Sequence, residues 1–238
     1  MSTVTMERVE LKVGDGTTMF AHVARPEKAV ANGPGMLVFQ EAFGVNDHIR
    51  DIARRFGDLG FTAIAPELYH RTGTGVDLKY GDMDSVKPHS SAVTVEGLAA
   101  DVKAAYEWLR KDANAAAERI ASIGFCMGGR VSYVANAHVP LAAAISFYGG
   151  RINDLLQFAG SQHGPILMFW GGLDKNIPPE QRRAVEDALT TANKRQEQVV
   201  FSSAEHGFFC DARASYNADA ARQAWALSVE FLRVQKVL

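Results

Sequence analysis

One cysteine stands where a covalent catalyst would need it. Residues 123–130 read Ile-Gly-Phe-Cys-Met-Gly-Gly-Arg, which sets Cys126 in a G-x-C-x-G-G frame. An apolar run from Ile120 precedes the frame, and a helix-like segment follows it. Strand, very tight turn and helix together make a nucleophile elbow, usually written G-x-S-x-G, here with sulfur in place of oxygen. The turn leaves almost no space for side chains two residues before and two after the nucleophile. Gly124 and Gly128 occupy those places, and glycine accepts unusual dihedrals without strain. At a helix N-terminus the dipole and the free N–H groups favour a thiolate. A buried, inert cysteine beside a glycine-rich turn fits the same eight residues, so the partners must decide.

Two partners follow later strands. Gly171-Gly172-Leu173-Asp174 comes after the apolar run 166–170, and Ala204-Glu205-His206-Gly207-Phe208 after 199–201. Open α/β sheets build their sites at the carboxyl ends of strands. The order nucleophile Cys126, acid Asp174, base His206 is that of the α/β-hydrolase fold. The chemistry requires each of them. A thiol is a weak nucleophile until it loses its proton; His206 can take it, and Asp174 can hold the imidazole in the right tautomer. Taken singly, Asp174 fits a turn and His206 a loop; the inference comes from the three in order. Glu41 follows the run 36–39, where this fold places its oxyanion loop, so its carboxylate is expected to face the cysteine. Ala42 N–H and Met127 N–H are the expected oxyanion donors.

The elements needed to hold these residues can be read from the pattern. Residues 7–13 and 18–24, around Gly14-Asp15-Gly16, read as an opening hairpin. Residues 36–39 read as a buried strand. Asn46 or Asp47 caps a helix whose apolar positions run from Ile49 to Leu59. Strands follow at 61–65, 120–124, 141–147, 166–170 and 199–201, and helices at 94–109, 178–192 and 215–234. This alternation predicts one α/β domain over residues 1–238, a doubly wound, mostly parallel sheet with an N-terminal antiparallel hairpin. Residues 67–91 read as a long polar connection, either a binding loop or a solvated insertion.

Several segments carry a family resemblance: Gln40-Glu41-Ala42-Phe43-Gly44-Val45-Asn46, Ala65-Pro66-Glu67-Leu68-Tyr69, Gly124 to Gly129, Phe147-Tyr148-Gly149, Gly171 to Asp174 and Glu205 to Phe208. In these the chain resembles the dienelactone hydrolase family. The resemblance implies a Cys-His-Asp hydrolase of small esters and lactones that works through a covalent acyl-enzyme without metal or cofactor. It also implies that Glu41 pairs with the resting thiol and turns aside when substrate enters. Members that form muconates hold the substrate carboxylate with arginines. Here Phe209-Cys210-Asp211 stands where one would lie, and no arginine occurs between Arg71 and Arg110. The carboxylated dienelactone is therefore not the expected substrate; Arg213 and Lys79 are the candidates to replace those arginines. Phe43, Tyr69, Phe125, Tyr148 and Phe208 suggest an aromatic substrate pocket, and each equally fits the core.

Composition narrows the remaining classes. A chain of 238 residues with 47% hydrophobic residues and 13 phenylalanines can bury a sizeable core. The net charge of -2, with no charged block, argues against nucleic acid and anionic membrane as partners. No apolar run reaches membrane-spanning length, and the first eight residues do not read as a signal peptide. Two cysteines, one of them a nucleophile, fit a reducing cytoplasm. No metal or nucleotide motif occurs. A small-molecule ester or lactone is the expected partner, for a monomer or homodimer. The alternatives are a hydrolase of other activated esters, phosphotriesters included, and a thiol redox enzyme using Cys126 with Cys210.

Overall fold

The computed structural model describes residues 4–28 and 30–238. Eight strands form one sheet in the order β1-β2-β4-β3-β5-β6-β7-β8. The strands are β1 (Thr5–Lys12), β2 (Thr18–Arg25), β3 (Gly35–Phe39), β4 (Thr62–Pro66), β5 (Ile120–Phe125), β6 (Ala143–Phe147), β7 (Ile166–Gly171) and β8 (Gln196–Phe201). β1 and β2 pair antiparallel, as the hairpin reading expects, and β2 joins β4 antiparallel. From β4 to β8 every pairing is parallel.

Strands β3 to β7 are buried at every position. A strand covered on both faces has no reason to alternate apolar with polar residues. That is why these strands read as short unbroken apolar runs. The cover comes from α1 (Asp47–Asp58), α3 (Val95–Lys111), α4 (Met127–His138), α5 (Pro179–Thr191) and α6 (Ala218–Val234), while α2 (Met83–Ser90) buries only Val86. α3 packs on α4, while α1 meets α6 through Phe56 and Trp225, whose ring centroids lie 5.2 Å apart. Asn46, not Asp47, caps α1, its side chain accepting from the Ile49 N–H at 3.3 Å.

The chain runs from β3 outward to β4, then returns across β3 to β5. Strand order thus reverses at β3, and the crevice beyond the carboxyl ends at such a switch is where this architecture binds ligands. Glu41 and Ala42 leave β3 there, and Cys126 leaves β5.

The polar connection 67–91 is more ordered than its sequence suggests. Its second half is helix α2, started by Asp82, whose carboxylate accepts from the Ser85 N–H at 3.1 Å. Only Val86 of that helix is buried, so no apolar period announces it. The first half is bound to the loop after β3. Leu78 N–H donates to the Phe43 carbonyl at 2.9 Å, and Gly44 pairs with Asp77. Gly44 has φ +88°, and any Cβ there would overlap the Val76 carbonyl. Two short 3₁₀ turns joined by a kink at Leu155 follow β6 (Ile152–Ser161), unannounced by the apolar pattern, and pack against α5.

Candidate active site

Cys126 sits at the end of β5 with φ 54° and ψ −114°. A non-glycine residue in the left-handed region is costly and persists only where its surroundings enforce it. The enforcement here is steric and local. A Cβ on Gly124 would overlap the Gly128 carbonyl oxygen, and one on Gly128 would overlap that of Phe39. The two glycines let β5 and α4 fold back on each other and let α4 approach β3. Gly128→Ala is therefore expected to lower stability by about 1–3 kcal/mol, a Tm fall of roughly 2–12 °C for a chain of this size. Thermal melting by circular dichroism checks this; an unchanged Tm would show that the turn can open to admit a methyl group.

Met127 is the first residue of α4, so its N–H has no partner within the helix. The loop carrying Ala42 is held by Tyr69, whose hydroxyl donates to the Ala42 carbonyl at 3.0 Å. With that carbonyl occupied, the orientation of the loop beside the elbow is fixed.

His206 and Asp174 meet at the ends of β8 and β7. His206 Nδ1 lies 2.7 Å from Asp174 Oδ2, and the other carboxylate oxygen accepts from the Asn176 N–H at 2.8 Å. Gly171 and Gly172 allow this approach, since a Cβ at either would press on the backbone of residues 202–205. Burial works against a charged imidazole. The hydrogen bond to Asp174 and the interaction with the Cys126 sulfur outweigh it and push the His206 pKa up to about 10. The Tyr148 ring lies 5.1 Å from the imidazole, on a backbone with φ 38°.

Glu41 is fully buried. Its Oε1 accepts from Arg213 at 2.9 Å, while Oε2 has no hydrogen-bond partner. The expected hydrogen bond from Glu41 to the thiol does not occur among the described residues. The reason is electrostatic: a carboxylate removed from water needs a counter-charge, and the Arg213 guanidinium supplies one. Arg213 comes from 172 positions away. It occupies the space a side chain on Gly207 would need and lies 5.9 Å from the Phe43 ring and 5.7 Å from that of Tyr80.

An open cavity of about 620 Å³ lies beside His206, lined among others by Tyr80, Leu173, Lys175, Glu205 and Arg213. Of the two candidate cations, Arg213 lines it and Lys79 does not. Phe43, Tyr69, Phe125, Tyr148 and Phe208 are all buried and stand outside that lining. Phe125, Tyr148 and Phe208 pack in the aromatic core under the site, together with Phe147 and Phe209. Tyr80 is the aromatic that does reach the cavity. Its hydroxyl accepts from Asn46 Nδ2 at 2.8 Å. A tyrosine inside a polar connection carries no sequence signal of such a role. Cys210 is a free thiol, fully buried.

Residues 19–235 match the family model for dienelactone hydrolases. The chain belongs to the dienelactone hydrolase family. Membership makes it a hydrolase of the ester and lactone class. An Escherichia coli (strain K12) relative named "Putative carboxymethylenebutenolidase" is 35% identical over 92% of this chain and 83% of its own. A "Putative Dienelactone Hydrolase" from Klebsiella pneumoniae superposes with a TM-score of 0.85 at 33% identity, covering 96% of this chain and 99% of that one. A dienelactone hydrolase-like promiscuous phosphotriesterase from metagenomic libraries shares the fold, with TM-score 0.84, 24% identity and coverage of 97% and 98%. Among the described residues, no helix of this family member is long and apolar enough to cross a membrane.

Proposed function

We propose that this dienelactone hydrolase cleaves small esters or lactones through a Cys126-His206-Asp174 triad and a covalent acyl-enzyme. The observation that carries the reading is the 2.7 Å contact between His206 and Asp174, with the strained Cys126 interacting with the same imidazole.

The reaction begins when the Cys126 thiolate attacks the substrate carbonyl carbon. Negative charge collects on the carbonyl oxygen, where Met127 N–H and Ala42 N–H are the donors. The carbon–oxygen bond to the leaving group breaks, and His206 gives its proton to the departing alkoxide. Water then attacks the thioester, with His206 taking the proton, and the acid product leaves Cys126 free. In a lactone the leaving hydroxyl stays attached to the acyl group, so one product carries both ends.

The Arg213–Glu41 pair argues against Arg213 as the anchor for a substrate carboxylate. Arg213 and Lys175 are the cations lining the cavity, and Arg213 stands beside Glu41, which already balances its charge. A carboxylated substrate would have to displace Glu41 to reach it. A panel of p-nitrophenyl esters, lactones and phosphotriesters, run on wild type and Cys126→Ala, tests the reading. Ester or lactone turnover lost in the variant is expected, and an acyl group trapped on Cys126 should be visible by mass spectrometry. Turnover confined to phosphotriesters would overturn the assignment to carboxylic esters.

Glu41 is the proposed guard of the resting thiol. A thiolate standing permanently beside imidazolium is open to oxidation, and a nearby carboxylate opposes it by like charge. Glu41→Gln removes that negative charge and leaves Arg213 unpaired within the field of Cys126. Both changes favour thiolate. The pH profile of Cys126 alkylation by iodoacetamide should shift toward lower pH, while ester turnover slows. If neither the profile nor turnover changes, Glu41 serves only to anchor Arg213.

A further inference from the structure

The triad leaves a second cysteine-bearing cluster unused. The loop after β3 brings Glu41, α1 brings His48, and the segment after His206 brings Cys210. All three are buried, and one ligand atom from each lies within 4.8 Å of the others. They are scattered over 170 positions of sequence, so no spacing motif announces them.

Two atoms of this cluster are bare. Glu41 Oε2 and His48 Nε2 have no hydrogen-bond partner, although Glu41 is 0% and His48 8% exposed. A buried polar atom without a partner is costly, so two of them in one cluster mark a place that a ligand would relieve. The surroundings already fix the three side chains. Arg213 holds Glu41 by Oε1 and leaves Oε2 free. Phe125 and Phe209 bracket the His48 ring at 5.5 and 6.1 Å. Tyr80, itself bound by Asn46, hydrogen-bonds to Cys210. Metal ligands are characteristically oriented by outer partners of this kind. Ala212 and Arg213, which follow Cys210 closely, line the cavity beside His206.

We propose that Glu41, His48 and Cys210 form a buried three-ligand site for a thiophilic divalent cation of the zinc class. Thiolate, imidazole and carboxylate are the donors that zinc takes, at about 2.0–2.3 Å. Tetrahedral bonds of that length set ligand atoms roughly 3.5 Å apart, so side-chain shifts of about 1 Å close the cluster. As the metal–sulfur bond forms, the Cys210 S–H bond breaks and its proton leaves to solvent. His48 donates a ring-nitrogen lone pair and Glu41 a carboxylate oxygen; nothing is oxidised or reduced. Water completes the shell from the cavity side. A bound metal ties Glu41 down beside Arg213. Resting on the role proposed above for Glu41, the metal therefore slows ester turnover.

Cobalt(II) is the probe, added to metal-free Cys126→Ala so that Cys210 is the one thiol present. One equivalent should produce a near-ultraviolet thiolate-to-cobalt band. Adding His48→Ala in that background should weaken cobalt affinity at least tenfold, on the order of losing a ligand's support, and Cys210→Ser should abolish the band. Circular dichroism establishes that each variant is folded; if Cys210→Ser is not, Glu41→Gln takes its place and should also weaken affinity. No band in Cys126→Ala, or an undiminished band with His48→Ala, overturns the site. In parallel, zinc should inhibit ester turnover of the wild type, and His48→Ala should need about tenfold more zinc. A cobalt band without zinc inhibition overturns the coupling to Glu41. Absence of ester turnover in the wild type would instead overturn the hydrolase reading and leave the cobalt result standing.

Discussion

Cys126→Ala is expected to lose at least about a thousandfold in kcat, because triad members act as a unit and the loss of one removes most of what the set provides. The substitution deletes the proposed acyl-bonding sulfur, while Gly124 and Gly128 keep the turn closed. Fold and melting temperature should therefore survive. KM is the weaker readout, since the cavity lining is untouched. Stopped-flow measurement of nitrophenolate release should also lose any burst, which reports acylation directly. Near-wild-type turnover by the alanine variant would end the proposal of covalent catalysis. Cys126→Ser tests a finer point. A hydroxyl is far less acidic than a thiol, and a site arranged around a thiolate has no compensating base beyond His206.

His206→Ala should be about as damaging, and Asp174→Asn should cost up to roughly ten-thousandfold in kcat with the fold intact, by stabilising the wrong imidazole tautomer. Asp174→Asn also has a pH signature. Burial pulls the imidazole pKa down, while the bond to Asp174 and the Cys126 sulfur raise it to about 10. Without the carboxylate, the His206 pKa falls back toward its ordinary value of about 6.5, and that limb of the kcat/KM profile moves down with it. Stability should follow the same linkage. A folded-state pKa raised above the unfolded one adds stability that is fully present below about pH 6.5 and is lost as pH rises toward 10. In Asp174→Asn that decline should be shallower. Full activity of the asparagine variant at neutral pH would move the acid role elsewhere, with Glu205 and Asp211 the nearest candidates in sequence.

The residues read most directly from sequence are those whose constraints are local. The elbow is written in eight consecutive residues, since its glycines are demanded by backbone contacts within one turn. Asp174 and His206 were legible because strand ends position side chains, and apolar runs mark strand ends. The Arg213–Glu41 pair was not legible, because nothing in either neighbourhood encodes an ion pair across 172 positions. Helix α2 escaped for a different reason: with Val86 as its single buried residue, it has no apolar stripe to betray it. Aromatic residues could be placed near the site but not sorted. Phe125 and Phe208 became core and Tyr80 reached the cavity, and an aromatic side chain suits either environment.

The binding of residues 75–78 to the loop after β3 sets where this scaffold tolerates being lengthened. Gly75 N–H is held by Glu67 at 2.7 Å, Asp77 pairs with Gly44, and Leu78 N–H holds Phe43. The Gly75 bond goes to the Glu67 carboxylate and the other two run through the backbone, so exchanging side chains at Val76 or Leu78 leaves them in place. One extra residue between Gly75 and Leu78 would throw the bridge out of register and drag Ala42 with it. Beyond Tyr80 the hold loosens until His89, whose ring stacks on that of Tyr69 at 5.3 Å. New specificity is best grafted at Gly81, on the cavity rim and ahead of the helix that carries His89.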